Sequence, residues 1–507
     1  MTSPDAIRRG LEAFASGQQL HGQRRHAEAA AAYNRALALM PDHPKVLAEF
    51  ARLADDVQDW QAAEKLYRKI GTLRPDSGFE AHLGHALFRQ GKFSDAIPWL
   101  EKHLARNPDD ADILHALGNS LCTLGRWEEG LALQRRALAL KPDDARTDAV
   151  MNSLFHLART DELDTMADPA LAKFPDSRSV RSMYSLHKLK SGDYPAGFAY
   201  FADFRWRNNL KAPEDAGLSV DPWDGQAFDG TLLVVAEQGL GDEIMMSSML
   251  EDLVALGQRT VVECDERLLP VFARSYPSLT FVPRHRKALQ EIIAAAPAAV
   301  FRRVNALDLG CFFRNRPGSF PVRDRWLMAD PQRVERIRAG YRERWPGKRL
   351  VGISWRSTRL LEGGADKSFR LADFLPVLAR DECVFLNLQY GDVQTDIAAI
   401  NADGMKLHID ENIDPGQDID GLFAQIAALD AVVSTSNTTV HIAGALGVPC
   451  LLLLPRTRPV LWYWGYRGER TPWYPSLHLL RNTSDDDRAA LMAAAAAMLP
   501  SLGDTLP

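Results

Sequence analysis

Residues 232–246, LLVVAEQGLGDEIMM, decide how the rest of the chain is read. An apolar, β-branched run of strand type ends on Gly239-Leu240-Gly241 and passes into a helix that opens on two acids, Asp242 and Glu243. A strand that breaks on glycines and re-forms as a helix carries free backbone N–H groups to the rim of a parallel sheet, where ligands of α/β folds sit. The two glycines invite a dinucleotide reading, but Ile244 stands where a third glycine would let helix and strand close up. Asp242 and Glu243 would also set negative charge beside a pyrophosphate. A nicotinamide or flavin site is therefore disfavoured, and no cofactor is expected. On the turn alone, Asp242 is either a helix cap or a general base facing the mouth of the sheet.

Outward from this stretch the pattern keeps alternating. Strand-type runs at 260–265 and 279–282 are interleaved with helical periods at 243–256, 267–276 and 287–295, which predicts a parallel sheet covered by helices. A second alternation follows a charged helix at 331–345. Its strand 350–355, LVGISW, runs into Arg356-Ser357-Thr358-Arg359, a glycine-bearing loop and Lys367-Ser368-Phe369-Arg370. Cations mixed with hydroxyls after the carboxyl end of a strand suit a diphosphate or a sugar-linked phosphate, or else form a solvated charged loop. Further on, the strand 431–435 ends in Ser436-Asn437-Thr438-Thr439 at the start of a helix, a ready anion site. His441, in that helix's first turn, either touches the ligand or only packs. Asp418-Ile419-Asp420 resembles a metal-binding D-x-D pair, yet it directly precedes a helix and reads as its cap, so no metal is expected. The stretch 460–474, VLWYWGYRGERTPWY, either stacks a ring or fills a core.

The part before residue 210 is of another kind. Pro41, Pro75, Pro108 and Pro142 recur at roughly 34 residues, each preceded by a small residue (Ala29, Ala63, Ala96, Gly130). Tyr33, Tyr67 and Leu100 hold one further phase, with Gln134 as the exception, and Leu83-Gly84 and Leu117-Gly118 add the pair of a first helix. This is the tetratricopeptide (TPR) signature of a helical solenoid, whose groove grips a protein or extended peptide, unless some of its helices serve only to pack on the domain that follows. The expected layout is a TPR region at 1–210, a Pro/Gly/Asp-rich linker at 211–230, one Rossmann-like domain at 231–330 and a second at 331–507.

With 60 Lys and Arg against 66 Asp and Glu, nothing proposes nucleic acid as a partner. Five singly scattered cysteines fit a reducing compartment rather than a disulfide framework. The charged start and the short apolar runs predict neither a signal peptide nor a membrane span, and the expected location is cytoplasmic.

The segments PWDG (222–225), EQGLGD (237–242), VGISW (351–355), Lys367-Ser368, LNLQYGD (386–392), LDAVVSTSNTTVHIAGALGVP (429–449) and TPWYPSL (471–477) together resemble bacterial TPR proteins with a heptosyltransferase-like (family nine) GT-B glycosyltransferase domain, and among them flagellin glycosyltransferases. The resemblance implies an α-helical TPR solenoid followed by an α/β GT-B fold, with two Rossmann-like domains facing a cleft. It implies inverting, metal-independent transfer from a nucleotide sugar to a Ser or Thr hydroxyl of a protein acceptor, flagellin, held in the TPR groove. The sugar implied is a nonulosonic acid such as pseudaminic or legionaminic acid. Asp242 matches the family's general base, with Gln238, Gly239 and Gly241 as its acceptor-side loop. Lys367 matches the lysine on donor phosphate, and Ser436, Asn437, Thr438, Thr439 and His441 match the donor ribose and phosphate site, which Arg356 adjoins. Ser436 stands where the family usually carries an aspartate. Two rival expectations are a lipopolysaccharide or capsule glycosyltransferase and a catalytically degenerate TPR adaptor.

Overall fold

The computed structural model describes residues 4–75, 77–207, 219–237, 239–316, 318–321, 323–357, 368–402, 404–454, 461–482 and 488–503. The chain divides into two units, Met1–Val180 and Arg181–Pro507.

The first unit is a run of helices, each packed on the next: α1 (Pro4–Gly22), α2 (His26–Leu39), α3 (Pro44–Asp56), α4 (Trp60–Leu73), α5 (Glu80–Arg89), α6 (Phe93–Leu104), α7 (Ala111–Thr123), α8 (Trp127–Leu140), α9 (Asp144–His156) and α10 (Thr160–Lys173). The pairs repeat with the proline phase, as the TPR pattern requires. Asp59, Asp110 and Asp143 cap α4, α7 and α9 by accepting backbone N–H groups of the first turn. The small residues do the close packing. A Cβ on Gly118 would lie 2.9 Å from the Gly130 carbonyl oxygen, so α7 and α8 meet as closely as they do only because both positions lack one. Leu47, Leu83, Leu87 and Leu100 are fully buried between the pairs, each contributing about 1.5–3 kcal/mol.

Gln134, the exception in the repeat, is buried, and its amide is satisfied locally. Its Nε2 donates to Asn119 Oδ1 at 2.7 Å, and Ser153 Oγ donates to its Oε1 at 2.6 Å, so a polar link runs from α7 through α8 to α9. Two histidines of the array pack on aromatic rings. His82 stacks on Tyr67 at 5.0 Å, and His85 sits edge-on to Trp60 at 5.5 Å.

The boundary falls within α11 (Arg178–Ser191), most of which belongs to the second unit, and α12 (Tyr194–Ala199) and α13 (Phe201–Arg207) follow. The expected repeat boundary at 210 falls inside this unit, and Phe198, Phe201 and Phe204 share a core with Leu232 and Met245. Arg205 of α13 makes a two-point ion pair with Glu237, at 2.9 and 2.7 Å, in a buried setting. The first sheet contains β1 (Asp221–Pro222), β2 (Thr231–Val235), β3 (Thr260–Cys264), β4 (Thr280–Pro283) and β5 (Phe301–Asn305), in the order β1-β5-β2-β3-β4. The second contains β6 (Arg349–Ser354), β7 (Cys383–Asn387), β8 (Leu407–His408), β9 (Ala431–Thr435), β10 (Cys450–Leu454) and β11 (Leu477–Arg481), in the order β11-β10-β9-β6-β7-β8. Every described pairing within the sheets is parallel. Parallel strands need crossovers, which cover both faces, and β9 and β10 are buried throughout, β10 apolar along its whole length and β9 apolar up to Ser434.

The helices of the two sheets are α14 (Leu240–Ser247), α15 (Leu250–Ala255), α16 (Leu269–Ser275), α17 (Arg286–Ala295), α18 (Leu309–Phe313), α19 (Pro331–Arg344), α20 (Leu375–Leu378), α21 (Gln394–Ala402), α22 (Ile419–Ala427), α23 (Thr438–Leu446) and α24 (Arg488–Met498). The single helix expected over 243–256 is divided into α14 and α15. Side chains take the carbonyls at the break: Tyr276 Oη donates to Ser247 O at 2.7 Å, and Arg314 and Arg323 donate to Ser248 O at 3.2 and 3.3 Å. β1, inside the stretch read as linker, pairs with β5, and both strands lay outside the sequence expectation.

Candidate functional site

The turn after β2 reaches Gly239 in an extended conformation, and α14 starts behind it. Asp242 therefore occupies the first turn, where its Oδ2 accepts the Gly239 N–H at 3.2 Å. Its other oxygen lies 3.5 Å from the Tyr463 hydroxyl, the outer limit of a hydrogen bond. The helix dipole favours a carboxylate at this position. Asp242 thus caps the turn with one oxygen and sets the other beside the Tyr463 hydroxyl, in a half-buried position.

Glu243, one residue on, takes the opposite course. It is buried, and accepts the Asp265 N–H at 2.8 Å and an Arg284 N–H at 3.0 Å. Burial pushes its carboxyl up to about 7, against the pull of that N–H and of Arg284 and with the help of neighbouring Asp265 and Glu263.

Across from α14 lies the start of α23. Gly241 is the contact point, because a Cβ there would stand 2.6 Å from His441 Cδ2. His441 Nδ1 and the Tyr474 hydroxyl are 2.6 Å apart, and Trp464 Nε1 donates to Ser436 Oγ at 3.0 Å. Burial, with the Asp242 charge behind it, holds the Tyr463 and Tyr474 hydroxyls well above the usual phenol range. Both phenols stay protonated.

Asn437 organises the helix start. Its Oδ1 accepts from Thr439 N and Ser434 Oγ, and its Nδ2 donates to Ser354 Oγ at 2.7 Å and Arg356 O at 3.2 Å. Ser354 in turn donates to Gln389, whose Oε1 also takes the Trp355 and Arg356 N–H groups. The ends of β6, β7 and β9 are thereby tied together at the carboxyl edge of the second sheet. Gly352 permits the approach below them, since a Cβ there would lie 2.2 Å from Leu388 Cδ1.

The structure brings Asp242, Gly239, Gly241, Ser436 and His441 into one neighbourhood, and Asn437, Thr438 and Thr439 follow on the same helix start. Thr439 Oγ1 is buried with no hydrogen-bond partner among the described residues. Among the described residues, Arg356 reaches this group through its backbone carbonyl. Its guanidinium pairs with Asp396 at 3.0 Å and donates to Asp392 O. Gln238 and Lys367 lie outside the described residues. Asp418 accepts the Gly421 N–H at 2.9 Å as the cap of α22 and pairs with Arg333, while Asp420 pairs with Arg274. The aromatic stretch resolves toward packing, with Trp462, Tyr463, Trp464, Trp473 and Tyr474 all buried. Tyr463, Tyr474, Trp464 and Gln389 are site residues that the sequence reading did not single out. They lie in the segments LNLQYGD and 460–474 already marked for other reasons.

Tetratricopeptide repeat models match residues 20–86 and 82–145. Among solved structures, the chain is similar to MamA from Desulfovibrio magneticus RS-1, with 20% identity over 35% of this chain and 100% of that one and a TM-score of 0.30. It is also similar to the type IV pilus biogenesis factor PilW, with 15% identity over 41% of this chain and 97% of that one and a TM-score of 0.35. Protein FlbA of Caulobacter vibrioides is 32% identical over 469 residues, which is 88% of this chain and 76% of that protein. At that identity and coverage, the chain belongs to the family of Protein FlbA.

Proposed function

We propose that the chain is a flagellum-related glycosyltransferase that moves a nonulosonic acid from a nucleotide sugar to Ser or Thr hydroxyls of flagellin, which the TPR array binds. The two parallel sheets act as the halves of a GT-B enzyme. Asp242 takes the proton of the acceptor hydroxyl as its oxygen attacks the anomeric carbon. The bond from that carbon to the leaving phosphate breaks, the electron pair leaves with the phosphate, and the sugar inverts. A positioned base of this kind contributes roughly 10²–10⁴ in rate. The observation that carries the reading is the packing of Gly241 on His441, which supports a base on α14 and a polar helix start on α23 within one site.

The experiment is co-expression of the chain with candidate flagellins and a nonulosonate pathway, read by the intact mass of the acceptor. Asp242→Asn is expected to fold normally and leave the acceptor unmodified, whereas full modification would remove Asp242 from the chemistry. A second reading, a TPR adaptor without catalysis, draws support from Ser436, whose hydroxyl already accepts from Trp464, and from Arg356, which is paired with Asp396. An unmodified acceptor with the wild-type chain, across all flagellins tried, selects the adaptor.

A further inference from the structure

The chemistry proposed above uses Asp242 and leaves the aromatic segment 461–474 with no task beyond packing, although one of its side chains reaches that carboxylate. Tyr463 is 3% exposed and sits in the short helical turn Trp462–Trp464. The backbone of this turn is fixed on both sides. Thr471 Oγ1 donates to Tyr463 O at 2.8 Å, and Arg481 of β11 donates to Trp464 O. Trp464 Nε1, donating to Ser436 Oγ at 3.0 Å, ties the same turn to the start of α23. Edge-on rings enclose the phenol, with centres at 5.5 Å for Trp462, 4.8 Å for Trp464 and 5.6 Å for His441. A ring packed this closely on a fixed backbone has one direction for its hydroxyl.

That direction is Asp242. The Tyr463 hydroxyl lies 3.5 Å from Asp242 Oδ1, while Oδ2 accepts the Gly239 N–H at 3.2 Å. Burial, with the Asp242 charge behind it, keeps the phenol protonated. An ionised carboxylate only accepts, so the hydroxyl is the donor. Each carboxylate oxygen thus has a donor of its own, and the carboxyl plane cannot turn without losing one. The two donors come from different halves, since Gly239 precedes α14 beside the first sheet and Tyr463 follows β10 of the second. Hydrogen bonds to a general base are often long until the reacting complex forms, and tighten in it.

We propose that Tyr463 is the positioning residue for Asp242: from the side of the second sheet it donates to Oδ1 and fixes the direction of the carboxylate at the seam between α14 and α23. This role rests on Asp242 being the base, as proposed above. The Tyr463 hydroxyl keeps its own proton throughout, and its part is to hold the carboxylate ionised and aimed. Among the described residues, the titratable groups around Asp242 are Tyr463 and Tyr474 of the aromatic segment, His441 of α23 and Glu243 on its own helix. Tyr474 is held 2.6 Å from His441 Nδ1, and Glu243 is held by Asp265 N and Arg284.

The test is Tyr463→Phe, which removes the hydroxyl and keeps the ring, beside a chain carrying fluorotyrosine at position 463, whose more acidic phenol is the stronger donor. In the full chain labelled with carbon-13 at the aspartate carboxyls, the Asp242 resonance is the one lost in Asp242→Asn, and it is followed by NMR against pH. Its midpoint is expected to rise by roughly half a pH unit or more in Tyr463→Phe and to fall with fluorotyrosine, because a donor to the ionised form favours that form. An unmoved midpoint overturns the proposal. Should Tyr463→Phe fail to fold by circular dichroism, the fluorotyrosine chain carries the test. The second measurement is transfer to flagellin against pH, read by intact mass, in which the acid limb of the rate profile is expected to move up with the midpoint. A limb that stays in place overturns the positioning role. If the wild type transfers nothing, the function proposed above fails, and the midpoint alone decides whether Tyr463 holds Asp242.

Discussion

Asp242 and Glu243 are adjacent acids with opposite fates, and the difference is one of helix geometry. Successive residues on a helix point about 100° apart, so Asp242 faces the turn and Glu243 faces the sheet. The buried member makes stability depend on pH. In the unfolded chain Glu243 titrates near 4.5, and in the folded chain at about 7. Between those values the folded protein holds a proton that the unfolded chain has released, so this group's contribution falls as pH rises through the window and stays low above it. Thermal melts from pH 5 to 8 are expected to show Glu243→Gln gaining on the wild type as pH rises. A constant difference across the series would mean that the Arg284 pair, not burial, governs the carboxyl.

At the scale of elements, the second helices of the repeats owe their packing to small residues, and the exception at Gln134 shows what fills the space when the pattern breaks. Leucine would suit the repeat better at that position, yet it would strand the Asn119 side-chain carbonyl and leave the Ser153 hydroxyl only its contact with Cys122 Sγ at 3.3 Å among the described residues. Leaving buried polar groups unpaired costs about 1–3 kcal/mol. Urea unfolding is expected to show Gln134→Leu destabilised by about that amount, with part of the loss recovered when Ser153→Ala is added. Independent, additive effects would show that the α7–α8–α9 link contributes nothing. The repeats were legible in the sequence because their contacts are local and periodic. β2, β3, β9 and β10 were legible because each is built on a run of β-branched or aliphatic residues. β5 was not, since FRRVN carries two arginines, and only the sheet shows Arg303 folded back to donate to Val220 O at 2.8 Å. β11, LHLLR, was hidden beside the aromatic stretch for a similar reason. The partners of Asp242 and Ser436 were out of reach altogether, because Tyr463 and Trp464 meet them across more than 200 and nearly 30 residues of chain. Local patterning gives elements, while contacts of that span depend on how two sheets come together.

For the molecule as a whole, the two units differ in how far along the chain their contacts reach. In the first, each helix packs on its neighbour in sequence. In the second, β6 pairs with β9 through Val351 and Ala431, and β1 with β5 through Asp221 and Arg302, so central and edge strands alike wait for partners made much later. Chains fold fastest where contacts are local, and segments leaving the ribosome first have the longest head start. The order of strands is thus also an order in time. Pulsed hydrogen exchange during refolding is expected to protect the amides of α3 to α8 before those of β6 and β9, and simultaneous protection would mean that the units fold as one. During synthesis the repeats would then stand finished beside an unfinished sheet whose strand ends are exposed. A protein partner gripped by the repeats at that moment would be held before the sheets are complete.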